Sequence, residues 1–186
     1  VLESDLDAWV EAQPNHALPY LARATYLEHI ASLRRGIKYS RDTHPAQFAA
    51  MRHYQELAVR DYQRALDLDD GTGEAYASLI HIGFSVSDRA SAVRLRRDGL
   101  DKARNTFPVH MAIIDKLQPK WGGSWEELRA YISNLYEHDP RGQFKFLRGY
   151  FDELRAKELY WEEKYEEALI HNERALQTGE TTGRYY

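Results

Sequence analysis

The residues best suited to chemistry in this chain are a run of carboxylates and a lysine-bearing loop. Asp67, Asp69, Asp70 and Glu74 have the composition of a calcium loop, which gathers oxygen ligands at fixed positions of a tight turn. Their spacing fails that geometry, because Gly71 falls at the fifth position and Ser78 at the twelfth. They read instead as an acidic helix end followed by a first turn. Lys120-Trp121-Gly122-Gly123-Ser124 is the most distinctive local feature. It is not a phosphate loop, since the spaced glycines and the Lys-Ser/Thr ending are missing. Two roles are open to it. Trp121 plugs the core while Gly122 and Gly123 turn the chain, glycine allowing positive φ and close backbone approach; or Lys120 and Trp125 stay exposed and touch a partner. The eight histidines are scattered, with no pair at metal-binding spacing. No serine sits in a nucleophile elbow, and no carboxylate pair announces acid–base work. No cofactor or metal is expected, and an enzyme is not expected. The catalytic alternative places Lys120 with neighbouring His or Glu residues around a cleft.

Charge and composition narrow the partner. A formal net charge of -4 argues against nucleic acid, whose binders displace counterions with a cationic surface. Arg34, Arg35, Lys38 and Arg41 form a basic cluster with a single acid, Asp42, beside it, suited to an acidic partner. Arg94, Arg96, Arg97 and Lys102 form another, interleaved with Asp98 and Asp101, and read as a solvated face. Cysteine is absent, which excludes disulfides and thiolate chemistry. No apolar run approaches the ~20 residues of a membrane span. The compartment is open: the cytoplasm is favoured slightly, the periplasm if a leader has been removed. In 186 residues there is room for one ordinary domain, and one domain over 1–186 is expected.

Helices must position these groups. Glycine and proline are sparse, 11 and 6, beside 13 tyrosines and 4 tryptophans, which favours packed helices over a turn-rich sheet. Ser4 reads as an N-cap, with Leu6, Trp9 and Val10 on one face and Pro14-Asn15 as the stop. A second helix from about Leu18 to Arg35 carries a stripe of Tyr20, Ala24, Leu27 and Ala31, capped by Gly36. Pro45 opens a third, reaching Leu68, with Met51, Tyr54, Ala58, Tyr62 and Ala65 at spacings of three and four. Glu74 to Ser85 makes a fourth. The fifth runs from Ser87 or Asp88 to Asn105, with Val93, Leu100, Ala103 and Phe107 inward and i,i+4 ion pairs outward. Pro108 opens a short sixth. Ser124-Trp125-Glu126-Glu127 is a capping-box start for the seventh, which ends near Glu137. Asp139-Pro140 separates it from an eighth, Gln143 to Tyr160. A ninth spans Lys164 to Gln177, and the tail from Thr178 is expected to fray. The fold class is therefore all-α, with about nine helices in antiparallel pairs.

Two segments carry the pattern of a tetratricopeptide second helix. Ala58, Tyr62 and Ala65-Leu66 have the spacing Ala-x3-aromatic-x2-Ala-Leu; Ala168 and Ala175-Leu176 repeat it with Asn172 in place of the ring. Tyr76 and Leu79 fall where a first helix carries its early aromatic and leucine, while Gly83 misses the small-residue position. The expectation is a TPR-like stack with irregular repeats, since a lone hairpin cannot bury its apolar face.

At Pro119-Lys120-Trp121-Gly122-Gly123-Ser124 the chain also resembles an uncharacterised bacterial family of TPR-like proteins that carries this box. The Arg35-Gly36 pair after an alanine-rich helix fits that family too, and the resemblance spans most of the chain. It departs at Leu33-Arg34, where an aromatic-containing helix end is expected. The family has no established activity, so the resemblance implies a fold alone. The concave side of stacked pairs, formed by first helices, is the expected binding face. The register assigns it Glu74, His81 and Phe84 in the earlier pair, and Tyr150, Glu153, Lys157, Tyr160 and Trp161 in the later one. Rings beside charges suit a protein or peptide partner, so a protein-interaction scaffold is expected. The alternatives are an immunity-type protein that neutralises a toxin and an enzyme with an unrecognised site.

Overall fold

Small residues decide where the helices of this chain meet. The computed structural model describes residues 2–85, 88–139 and 142–178. Among them are nine α-helices, two single 3₁₀ turns and no strand. In chain order the helices are α1 (Leu2–Ala12), α2 (Ala17–Arg35), α3 (Pro45–Leu68), α4 (Gly73–Ser85), α5 (Arg89–Lys102), α6 (Phe107–Lys116), α7 (Trp125–Glu137), α8 (Leu147–Trp161) and α9 (Tyr165–Gln177). The 3₁₀ turns are Ser40–Asp42 and Pro119–Trp121. No helix among the described residues is long and apolar enough to cross a membrane. The expectations placed on Ser87, Pro140 and the tail beyond residue 178 lie outside the described residues. The chain divides into two compact units, Val1–Ile113 and Ile114–Tyr186.

In the first unit, α2 and α3 pack antiparallel. Arg35 stacks on Phe48 near one end, and Arg23 meets Asp61 near the other. The stripes expected on both helices face this seam: Ala24, Leu27 and Ala31 of α2 and Ala58, Tyr62 and Ala65 of α3 are buried. Alanines let the two backbones approach, and Tyr62 fills the space they leave. Its hydroxyl donates to Glu28 Oε2 at 2.7 Å. Burial, first, and the Glu28 carboxylate, second, push that hydroxyl's pKa above its ordinary value. Ala75, Leu79 and Ile82 of α4 complete the cluster. Gly36, with φ of 74°, ends α2, and Arg35 Nη1 donates to its carbonyl and to that of Lys38. Arg35, read from sequence as part of a free basic cluster, thus holds the connecting loop together.

Asp61 carries the polar counterpart of this packing. It is 7% exposed, and Arg23 grips it bidentately, Nε to Oδ2 at 2.7 Å and Nη2 to Oδ1 at 2.9 Å. Arg23 Nη1 also reaches Asp7 Oδ1 at 2.9 Å, so one guanidinium joins α1, α2 and α3. The two carboxylates, Asp61 above all, raise the pKa of Arg23 against the opposing effect of burial.

The α4–α5 pair corrects the expected inward stripe of α5. Val93 is 58% exposed, and Leu100 and Phe107 also face solvent. The buried positions are Ala92 and Gly99. A Cβ on Gly99 would stand 3.0 Å from Tyr76, and one on Gly83 would stand 3.3 Å from Ala92. Contact through the smallest side chains turns the larger ones outward. The expected i,i+4 pairs give way to Arg97–Asp98 at 3.4 Å and Lys102–Asp70 at 3.8 Å. The helix also stops at Lys102, short of Asn105, because Arg104 N donates to Gly71 O. Asp69, in the supposed calcium run, accepts from Gly71 N and pairs with Arg104. Those contacts, Arg104 first, lower its pKa. At the chain's start Ser4 lies inside α1, so it does not cap that helix.

In the second unit, α8 begins at Leu147, later than expected, because Asp139 Oδ2 accepts from Phe144 N at 2.6 Å and holds the preceding residues in turns. α7 and α8 meet through arginines laid over rings: Arg155 on Trp125 at 5.1 Å, Arg129 on Phe151 at 4.4 Å and Arg148 on Tyr136 at 5.6 Å. α8 and α9 run antiparallel, with Gly149 against Ala175 and His171 Nδ1 at 2.6 Å from Asp152 Oδ1.

Removing one partner of a largely buried, bidentate pair strands a charge. Asp61→Ala should therefore cost about 3 kcal/mol, while Asp7→Ala, at the exposed end of the same guanidinium, should cost under about 1 kcal/mol. Urea denaturation measures both, and equal losses would contradict this division of roles. His110 offers a pH test. Burial lowers its pKa below the usual 6.5, so below that value the unfolded chain takes up the proton more readily than the folded one. Its contribution is complete above about pH 6.5 and is lost as pH falls through the lowered folded value. The thermal midpoint should drop on acidification toward pH 5, and His110→Gln should flatten that drop.

Candidate functional site

The second unit brings the lysine loop and α8 together. Around the loop, Gln118 is buried and donates from Nε2 to Asp115 Oδ1 at 3.1 Å. Lys116, also buried, holds the other oxygen of Asp115 at 2.9 Å. The Trp121 ring lies over this ammonium, 4.1 Å from Nζ to the ring centroid. Trp121 is 40% exposed, so it covers a buried cation and does not fill the apolar core. Gly122 takes φ of 90°, in the left-handed region, and its N–H donates to Pro119 O at 2.9 Å. A Cβ on Gly123 would stand 2.1 Å from Leu117 O, so no side chain fits there. Ser124 then caps α7, its Oγ accepting from Glu127 N at 3.1 Å. Both glycines and the cap do conformational work, and Lys120 is left exposed.

Opposite this loop, Tyr150, Leu154, Lys157, Glu158 and Trp161 repeat at helical spacing along one face of α8. Together with Asp115, Gln118, Lys120 and Glu162 they bound a groove of about 410 Å³. Trp161 is 73% exposed at its end. Glu162 is paired with Lys164 at 2.8 Å, and that cation lowers its carboxylate pKa. Asp115 is engaged by Lys116 and Gln118, and Lys120, Lys157 and Glu158 add further charges to the lining. The lining offers rings, ammonium donors and a carboxylate acceptor.

The other residues singled out from sequence are placed differently. Glu153 is buried, on the inward side of α8. Tyr160 is exposed beside the groove, its ring 5.9 Å from Trp161 and 5.6 Å from Tyr165. Trp125 is half-buried, edge-on to Phe151 at 5.9 Å. In the first unit, Glu74 is exposed in the first turn of α4, and His81 and Phe84 are half-buried further along it. Among the described residues no group of His, Cys, Asp and Glu could hold a metal ion. Sequence reasoning passed over Leu154, Glu158 and Glu162, although their spacing with Tyr150, Lys157 and Trp161 is itself the helical signal.

The loop geometry makes a direct prediction. Gly123→Ala should destabilise the protein by about 2 kcal/mol or more through the backbone clash, and Gly122→Ala by about 1 kcal/mol through the left-handed backbone. Thermal or urea unfolding of the two variants ranks them, and a harmless Gly123→Ala would contradict the close approach.

No curated protein and no solved structure matches the chain. The loop box at 119–124 lies beyond the residues that do match. Residues 2–88 are similar to the family described as Domain of unknown function (DUF4034), which fits an uncharacterised family.

Proposed function

We propose that this chain is a protein-interaction module of TPR-like architecture that binds a peptide or protein segment in the groove beside α8. The observation that carries the reading is the meeting of Lys120 with Tyr150, Lys157 and Trp161 around one groove. Rigid rings bury much area at little entropic cost, and flanking charges fix register and orientation. The groove's volume falls within the ~300–1,000 Å³ of ligand sites, and its open, mixed lining suits a side chain or two of a longer partner. The repeat reading draws on the buried Ala58, Tyr62 and Ala65 and on the buried Ala168 and Ala175, which meet neighbouring helices as repeat residues do. The Pro-Lys-Trp-Gly-Gly-Ser box, in this reading, is a structural brace that also presents Lys120.

The test is capture from the native cell with immobilised chain, followed by direct affinity measurement on the captured partner. Trp161→Ala combined with Lys157→Glu should weaken binding at least about tenfold, as expected for loss of an aromatic anchor and a charge. Both side chains are exposed, so thermal unfolding should be nearly unchanged. Undiminished binding by the double variant would remove the groove from consideration.

A further inference from the structure

The arginines stacked between α7 and α8 border a second cavity, lined by residues other than those of the groove. Arg129 and Arg148 face a pocket of about 240 Å³, to which α9 contributes Arg174. Arg129 lies over Phe151 and Arg148 over Tyr136. A guanidinium set over a ring still has its N–H donors to offer an oxygen ligand. Ser133 and Tyr136 also line the pocket, their hydroxyl oxygens 3.3 Å apart. Its carboxylate is Asp152, whose Oδ1 is held by His171 Nδ1 at 2.6 Å. Among the described residues no ion pair engages Arg129, Arg148 or Arg174. In a chain of net charge -4, three guanidiniums around one small cavity reverse the local sign.

We infer that this pocket binds the phosphate group of a small phosphomonoester. Three cations against one carboxylate leave two positive charges, which match the roughly -1.5 to -2 carried by a phosphomonoester at neutral pH. Guanidinium forks fit phosphate oxygens in pairs, and three terminal oxygens can use more donors than a carboxylate can. The cavity falls below the ~300 Å³ at which drug-sized sites begin, leaving room for a phosphate and a short substituent. Ile132 and Phe151, both buried, give that substituent an apolar wall. The alternative is a solvated basic surface, which makes no distinction among anions.

Calorimetric titration of the full chain with phenyl phosphate, inorganic phosphate and benzoate separates these cases. Phenyl phosphate should bind most tightly, inorganic phosphate less tightly and benzoate least. Arg148→Gln and Arg174→Gln should each weaken phenyl phosphate roughly tenfold or more, the loss expected for a hydrogen bond to a charged group. Arg174→Lys, which keeps the charge and loses the fork, should restore only part of the affinity. Arg174 is exposed and outside the arginine–ring contacts of α7 and α8, so Arg174→Gln should leave unfolding without ligand unchanged, whereas Arg148→Gln also removes the contact with Tyr136 and should lower stability slightly. If a variant fails to fold, the unsubstituted protein still decides the matter: phenyl phosphate should shift the amide signals of Ser133, Arg148 and Arg174. No heat and no shifts at millimolar phenyl phosphate would overturn the inference. Binding that the substitutions leave intact, or inorganic phosphate or benzoate binding as tightly as phenyl phosphate, would overturn it too.

Discussion

One guanidinium sets the arrangement of the first three helices. Arg23 grips Asp61 through two bonds and Asp7 through a third, and it does so at the edge of an alanine-lined seam. Alanine seams are poor at fixing register, because small smooth surfaces slide. A bidentate pair whose carboxylate is withdrawn from water tolerates little displacement, since each partner would be left buried without its counter-charge. The apolar seam thus supplies contact, and the ion pair supplies position. Tyr62 follows from the same constraint: its ring can occupy the gap between α2 and α3 only where Glu28 is placed to accept its hydroxyl.

Helices were legible in the sequence wherever the contact stripe was made of recognisably apolar residues. On α2 and α3, Ala24, Leu27, Ala58 and Tyr62 both follow the helical period and enter the core. On α5 the period was followed by Val93 and Leu100, yet the contact was made by Ala92 and Gly99. Residues with almost no side chain leave almost no hydrophobic signal, even where they bring two backbones closest. Boundaries failed for a related reason. The start of α8 depends on Asp139 reaching Phe144, a choice between local hydrogen bonds that composition does not rank.

For the candidate site, the loop and the α8 face were each visible, but their meeting was not. Lys120 and Trp161 are far apart in sequence, and only the folded unit brings them to one groove. Glu153 is buried, while Tyr150, Lys157 and Trp161 of the same register line the groove. Asp61 and Arg23 drew no notice at all: a charged residue in an amphipathic helix reads as surface unless its partner is known. The family match at residues 2–88 covers the Arg23 clamp and stops before the α8 groove and the arginine-lined pocket.

The stacked arginines carry a consequence for how α7 and α8 can move. The cations come alternately from the two helices: Arg155 from α8, Arg129 from α7, Arg148 from α8. A helix that slips by one residue advances about 1.5 Å and swings each side chain through about 100°, which carries every guanidinium off its ring at once. Such an interface behaves as a cut key does in its lock. It has one seating, and intermediate positions satisfy none of the wards.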